Sequence, residues 1–284
     1  MFSFFGAGKS TRRGVERKQG GKVTQDSQIR LVSALAIFMA VALWEVLAPR
    51  RRPEFGRLRR WPSNLGLIVV DALVVRAIFP FALTGVALWA QGRGWGLFNA
   101  LAAPSWLAGL VSILVLDFVI WAQHVAFHRI PVLWRLHRMH HADLDYDLTS
   151  ALRFHPFELA ISFALKIAAV VALGAPAWAA LAFEVMLNGL AMFNHANATL
   201  PKRLEPFVRA LIVTPDMHSV HHSIVPAETH SNFGFNLSLW DRIFGVYKPA
   251  PTGGHEGMTV GLPILRDERE LRLDRMLTQP FREG

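Results

Sequence analysis

Eight of the twelve histidines in this 284-residue chain lie in three short motifs. The motifs are His124 with His128, then His137 with His140 and His141, and finally His218 with His221 and His222. Residues three and four positions apart share one face of a helix, so each motif directs two or three imidazoles at a common point. Burying so many titratable rings is costly unless they bind something, and neutral imidazole is a good ligand for transition metals. The motifs therefore predict a metal site.

The number of rings predicts two ions. One ion takes about four to six ligands, and more rings than that converge here. The chain contains no cysteine, which excludes disulfides, thiolate zinc sites and an intrinsic iron–sulfur cluster. Any metal must therefore be held by nitrogen or oxygen. A pair of open-sided, redox-active ions suits the activation of dioxygen.

Two other metal enzymes fit the motifs less well. A zinc-protease helix has the spacing of His124 and His128, but Val125 stands where such a helix carries its glutamate base. The Glu-x-x-His pairs of carboxylate-bridged di-iron bundles are not seen in this sequence. The motifs therefore favour a site made mainly of histidine.

A membrane metal-binding or transport protein, with the histidines as transient ligands, is the alternative function. A transporter should place polar residues midway along several helices. Here the motifs lie at helix ends and in loops, which favours a fixed site.

The apolar composition predicts a membrane protein. Of all residues, 52% are hydrophobic and 18% are charged. Apolar runs cover residues 31–47, 65–90, 106–127 and 159–193, the last with a turn at 174–176. A bilayer core about 30 Å thick needs about 20 such residues in a helix. We expect an all-α, multi-pass membrane bundle of about four to five apolar helices, with a histidine-rich helical cap on its cytoplasmic face.

The basic residues indicate a lipid environment. The formal net charge is +9, and basic residues flank the first apolar run. This placement fits anionic headgroups and the positive-inside rule better than nucleic acid, so we expect no nucleic-acid partner. Cytoplasmic placement of the loop at 50–60 and of the histidines would leave the basic N-terminus outside after three full crossings. The number of full spans therefore stays open.

Changes in polarity suggest three regions. We expect a polar, basic N-terminal tail at 1–29, a membrane-bound histidine-motif domain at 30–250, and a polar C-terminal extension at 251–284.

The chain resembles the fatty acid hydroxylase and sterol desaturase superfamily, whose mark is HxxxH, HxxHH and a later HxxHH around membrane helices. The resemblance covers residues 30–250. It extends to the segments 131–135, 153–158, 194–197, 213–215 and 239–245.

The resemblance implies an oxidoreductase that uses dioxygen to hydroxylate or desaturate a membrane lipid, such as a sterol, a hopanoid or a fatty acyl chain. It implies two iron ions, with zinc as a substituted metal. Some members carry a haem-binding cytochrome b5 module, which we do not see here. We therefore expect a separate electron-transfer protein, either a ferredoxin or a cytochrome b5-like protein with its reductase.

The resemblance also supplies a ninth ligand, His195, and no catalytic residue is expected beyond the ligands. The expected metal ligands are His124, His128, His137, His140, His141, His195, His218, His221 and His222. His155 could be a further ligand, could orient substrate or could brace the site. Residues expected to support the ligands or face the site are His230, Asn194, Asn197, Asp216, Glu184 and Asn188, together with Asp143, Asp145 and Asn232.

Overall fold

The computed structural model describes the backbone of residues 7–283 and side chains from residue 25 onward. In this part of the chain every named element is helical, which confirms the all-α prediction. The helices are α1 (Ala7–Leu47), α2 (Arg57–Ile78), α3 (Leu83–Gly92), α4 (Leu97–Ala100), α5 (Ser105–Arg129), α6 (Pro131–His141), α7 (Pro156–Leu173), α8 (Ala177–Asn194), α9 (Glu205–Leu211), α10 (Pro215–His221), α11 (Pro226–Thr229), α12 (Leu239–Ile243), α13 (Gly254–Gly257) and α14 (Leu273–Thr278). Short 3₁₀ helices cover Leu148–Leu152, Glu268–Leu271 and Gln279–Phe281.

Five segments are long and apolar enough to cross a bilayer, as the composition predicts. They are Gln25–Leu47, Arg57–Ala100, Ser105–Arg129, Pro156–Leu173 and Ala177–Asn194. The second segment is interrupted, because α2 ends before Pro80 and α3 begins after it. Proline lacks an N–H and disfavours a helical residue before it, which explains why the apolar run at 65–90 forms two helices.

The predicted turn between α7 and α8 is confirmed. Gly174 ends α7 with φ of 68°, a backbone conformation that favours glycine. A Cβ there would lie 2.6 Å from the side chain of Asn99 and 2.8 Å from the carbonyl of Trp95. The turn therefore also packs closely against the end of the α3–α4 region.

Helix α8 lies at the centre of the membrane half, where it packs against α1, α3 and α5. Phe183 of α8, Leu116 of α5 and Leu83 of α3 are fully buried in this core. Gly109 lets α5 approach α8 closely, since a Cβ there would lie 1.9 Å from the ring of Trp178. The core fixes the positions of the α5 and α8 ends, which carry His124, His128 and His195.

A buried ion-pair network attaches the cap to the membrane helices. Arg60 of α2 is 1% exposed and donates to Asp143 at 2.8 and 2.6 Å and to Asp147 at 2.6 Å. Removal of one partner from such a network leaves an uncompensated buried charge. The loop after α6 is therefore held rigidly against α2.

The structure at both ends of the described chain can be compared with the N-terminal tail and the C-terminal extension expected from the sequence. Helix α1 begins at Ala7, within the segment predicted as a tail, whereas residues 1–6 lie outside the described part. The segment 251–284 packs against the domain, because Met276 lies in one buried cluster with Leu67 and Met139. Arg138 also donates to the carbonyls of Gln279 and Arg282. The cap lies at one end of the bundle, and its cytoplasmic location stays a prediction.

Candidate metal centre

The structure brings the nine expected histidines together in two groups. The five-histidine group consists of His124, His128, His137, His141 and His221. The four-histidine group consists of His140, His195, His218 and His222. Within each group the potential ligand atoms all lie within 4.8 Å of one another. Every one of these side chains is buried, with at most 5% exposed.

Helix ends position the rings. Helix α5 presents His124 and His128 at its last turns, and His195 follows α8 directly. Pro131 starts α6 with a residue that needs no helical N–H partner. Thr214 caps α10 by accepting from the N–H of Met217, which accounts for the Thr-Pro pair before the third motif. Both later motifs divide their rings between the two groups.

Ring nitrogens face each other at metal-site distances. Four Nε2–Nε2 pairs lie this way: His124–His137 at 3.0 Å, His124–His221 at 3.1 Å, His128–His141 at 3.1 Å and His140–His195 at 3.2 Å. Metal–imidazole bonds of about 2.1 Å at right angles place two nitrogens about 3 Å apart. The observed separations therefore suit rings that share an ion.

The tautomers exclude a hydrogen bond for one of these pairs. The Nδ1 atoms of His124 and His221 lie 2.7 Å from the carbonyls of Phe233 and Ser231, respectively. A carbonyl only accepts, so each neutral ring carries its proton on Nδ1 and a lone pair on Nε2. The two Nε2 atoms then present lone pairs to each other, an arrangement that a shared cation would stabilise.

Burial keeps the cap imidazoles in the neutral form that binds metal. It lowers the pKa of His137 to about 3 and that of His195 to about 4. Burial and neighbouring rings hold the pKa of His140, His141 and His221 well below the ordinary value. These groups are neutral at physiological pH, as metal coordination requires.

Buried ring nitrogens without hydrogen-bond partners also indicate a metal site in the four-histidine group. Neither ring nitrogen of His218 or His222 has a hydrogen-bond partner in the described structure. Buried polar groups are almost always satisfied, so these atoms call for a ligand. The all-nitrogen donor set fits iron, and it also fits zinc.

Sequence comparisons agree with this geometry. The sequence model of the family described as fatty acid hydroxylase matches residues 109–246, which contain all nine rings. This match covers just under half of the chain, and it supports the resemblance to the fatty acid hydroxylase/sterol desaturase superfamily.

Its relatives are named for several reactions on lipids. An ornithine lipid hydroxylase of Rhizobium tropici is 28% identical over 152 residues, which are 53% of this chain and 45% of that protein. An alkylglycerol monooxygenase of Xenopus tropicalis is 28% identical over 189 residues, 66% of this chain and 41% of the relative. A very-long-chain aldehyde decarbonylase of Oryza sativa subsp. indica is 28% identical over 203 residues, 68% and 30% of the two chains. The chain spans less than half the length of these relatives, and no solved structure matches it.

A carboxylate supports one of the expected ligands, and the sequence analysis did not predict it. Glu158 of α7 accepts from Nδ1 of His137 at 2.6 Å. Such a partner fixes the orientation and tautomer of a ligating ring. Glu158 lies in the segment 153–158 that the resemblance covers, and that segment was the available signal.

His155 lies outside both groups. Its Nδ1 accepts from the N–H of Phe157 at the start of α7, and its Nε2 lies 3.3 Å from the carbonyl of Leu277. These contacts fix the start of the helix that carries Glu158, as expected for a residue that braces the site.

The backbone of residues 231–234 provides the two carbonyls that contact His124 and His221. Asn232, at φ of 51°, donates to the carbonyls of Met217 and Lys248. Asp241 accepts from the N–H groups of Phe233 and Gly234, both at 2.9 Å. These side chains hold the carbonyls that orient His124 and His221, so Asn232 supports the ligands indirectly.

Several polar residues expected beside the rings bond elsewhere. Asn194 donates to the carbonyl of Phe235, Asn197 pairs with the backbone of Arg51, and Asp216 forms an ion pair with Arg50. Asp143 pairs with Arg60, and Asp145 accepts from the N–H groups of Glu54 and Phe55. They fix the loops around the site. His230 is exposed, and its ring centroid lies 5.5 Å from that of His128.

A cavity of about 600 Å³ reaches the five-histidine group. His124 and His137 lie on its wall, and the rest of the wall is mainly apolar and comes from α2, α5, α7 and α8. Glu184 and Asn188 also line it, as expected for residues that face the site. Ile68 and Phe81 line the cavity and are 39% and 68% exposed, so the cavity opens sideways from the bundle.

Proposed function

We propose that the chain is an oxygen-dependent, di-iron membrane enzyme that oxidises a C–H bond of a membrane lipid. One observation supports this above all: two groups of buried, neutral imidazoles lie together, and one group forms the wall of an apolar cavity. Hydroxylation then follows R–H + O₂ + 2e⁻ + 2H⁺ → R–OH + H₂O. Desaturation at the same site would remove two hydrogens and form two waters from the same O₂, electrons and protons.

The two groups would each hold one ion, through the nine histidines as ligands. Bound iron would supply the oxidising power that amino-acid side chains lack. The protein's own part is positioning. Glu158 and the carbonyls of Ser231 and Phe233 orient rings, and the buried cap excludes water.

The substrate would be a lipid that enters from the bilayer. The opening beside Ile68 and Phe81 lies on candidate membrane segments. The relatives' names specify an ornithine lipid, an alkylglycerol and a very-long-chain aldehyde, all with long hydrocarbon parts. We place the cap on the cytoplasmic face, where the arginine-rich loop before α2 meets anionic headgroups.

Electrons would come from a separate ferredoxin or cytochrome b5-like protein with its reductase. His230 provides an entry point, because its ring is exposed and packs against His128 and Trp134. The neighbouring Arg129 would favour an acidic donor.

Metal analysis and lipid mass spectrometry test this function. We expect about two tightly held iron ions per purified chain, and a product that gains one ¹⁸O from ¹⁸O₂ or loses two hydrogens. Anaerobic turnover at the aerobic rate would contradict an oxygenase. Loosely exchanging ions without product would instead support the metal-transport alternative, which the relatives' names do not favour.

A further inference from the structure

The cavity carries charged side chains away from the metal centre. Arg30 of α1, Lys166 of α7 and Glu184 of α8 all line it. Arg30 Nη2 lies 2.8 Å from Glu184 Oε2, and Lys166 is within electrostatic reach of Glu184. Charged groups within membrane-spanning helices are costly and mark functional sites. We call these three residues the charged end of the cavity.

The charged end has an unbalanced positive charge. Its single carboxylate, Glu184, pairs with Arg30. The Lys166 ammonium lies 5.5 Å from the ring centroid of Phe163, and we find no salt bridge for it within the described part of the chain. Arg30 Nε is also buried without an acceptor. One cation and a spare donor therefore face the cavity, and an anion would satisfy both.

The other end of the cavity has the opposite character. Asp71, Gln123 and Glu158 each have a buried side-chain oxygen without a partner. Oxygen acceptors suit hydroxyl groups or water better than an anion. Between the two ends the wall is mainly apolar, with Val75, Leu159 and other hydrocarbon side chains. A single amphipathic molecule with one anionic end fits this pattern in only one direction.

Helix α7 sets the distance between the ends. Glu158, Ser162 and Lys166 follow one another at four-residue intervals and all line the cavity. Lys166 lies eight positions after Glu158, which corresponds to a rise of about 12 Å along the helix. An extended chain with bonds of about 1.5 Å and angles of about 111° advances about 1.25 Å per carbon, so this span equals about ten carbons.

We propose that the cavity binds a lipid with a carboxylate or phosphate head group at Lys166 and Arg30, and with its hydrocarbon chain extended along α7 to His124 and His137. The proposal rests on the proposed lipid oxidation and names its substrate class. The position of oxidation is then counted from the head group, about ten carbons away.

Binding tests the head-group contact without turnover. The full-length protein in detergent would bind palmitate, hexadecyl phosphate or neutral methyl palmitate in competition with a fluorescent fatty acid. We expect at least one anion to bind about tenfold more tightly than the ester. The tighter anion identifies the head group, and equal binding of all three probes overturns the proposal.

Matched variants locate the contact. Lys166→Met should remove the preference for the anion, whereas Lys166→Arg should keep it. Lys202→Met removes an exposed lysine outside the cavity and should behave as wild type. Glu184→Gln removes the competing carboxylate and should keep or increase the preference. An unchanged preference in a folded Lys166→Met protein overturns the assignment, and Glu184→Gln gives a second reading if Lys166→Met fails to fold.

Product analysis separates this inference from the proposed function. With acyl chains of about 14 to 18 carbons, all longer than the span of about ten carbons, oxidation should stay at a constant distance from the head group. A constant distance from the methyl end would overturn the proposed orientation while leaving lipid oxidation intact. Absence of any oxidation, with the anion preference present, would contradict the proposed function and leave the binding site standing.

Discussion

The two histidine groups differ in how the protein supports them. In the five-histidine group, His137, His124 and His221 each have an Nδ1 partner, and two of the rings reach the cavity. In the four-histidine group, only His195 has such a partner, the carbonyl of Ala191 at 2.8 Å. The group on the cavity wall is therefore oriented by the protein itself, whereas the four-histidine group would depend on an ion to satisfy its nitrogens.

The largest expected effect is shared by both groups. His221→Ala in one group and His140→Ala in the other should each lower product formation at least about a thousandfold, because the two ions act as a unit. Each variant should remain in the membrane, and iron content shows which ion is lost. His255→Ala, at a histidine outside both groups, is the matched control and should keep both ions. Full activity in either ligand variant would contradict the shared site.

Removal of the Glu158 carboxylate tests the five-histidine group alone. Glu158→Gln should lower activity or iron affinity about 10- to 100-fold, the usual effect of losing a partner of a ligating histidine. Glutamine would be a weaker acceptor for Nδ1 of His137, which Glu158 contacts at 2.6 Å. Glu256→Gln, at an exposed glutamate, is the control. An unchanged iron content and rate would remove the claimed difference between the groups.

The convergence of the nine rings could be predicted from the sequence, but which rings form each group could not. Spacing showed that each motif shares a helical face. It did not show that His140 would leave its neighbours His137 and His141 to join His195, since that depends on how α6 packs against the end of α8. The contacts of the carbonyls of residues 231 and 233 with the rings could not be predicted either, because every residue type carries the same backbone acceptor.

Other features depended on tertiary contacts. The apolar run at 65–90 did not reveal its break, although Pro80 was visible. Asn194, Asn197 and Asp216 were polar residues near ligands in sequence, but they hydrogen-bond to loops and arginines. Sequence proximity therefore identified the histidines that converge better than the residues that support them.

Acid should destabilise the metal-free protein, because each histidine group contains buried rings that stay neutral in the folded state. Histidines have a pKa of about 6.5 when unfolded, whereas burial lowers that of His137 to about 3 and that of His195 to about 4. The unfolded chain therefore binds more protons below pH 6.5, and stability falls as the pH falls from about 6.5 to 4. Above that range both states are neutral, so these rings add no pH dependence.

Each ring that stays neutral when folded adds up to about 1.4 kcal/mol per pH unit to this loss. Thermal unfolding of chelated protein across pH 4 to 8 measures it. His222→Phe should reduce the slope by about one proton. Iron-loaded protein should be more stable at pH 7, because the ion binds only the folded state. A flat profile in the chelated protein would show that its rings are not buried as a neutral cluster.

The smallest expected effect concerns His230, which lies at the surface beside the five-histidine group. His230→Ala should slow turnover a few-fold when the electron donor is limiting, since the exposed ring contacts His128 but has no place in either group. Iron content and lipid binding should not change. At saturating donor, or with a small chemical reductant, the rate should return to that of wild type. His255→Ala, at a partly buried histidine beside Ser219, is the control. A loss that persists with the chemical reductant would place His230 in ring support instead, and would extend the bracing of the five-histidine group to the protein surface.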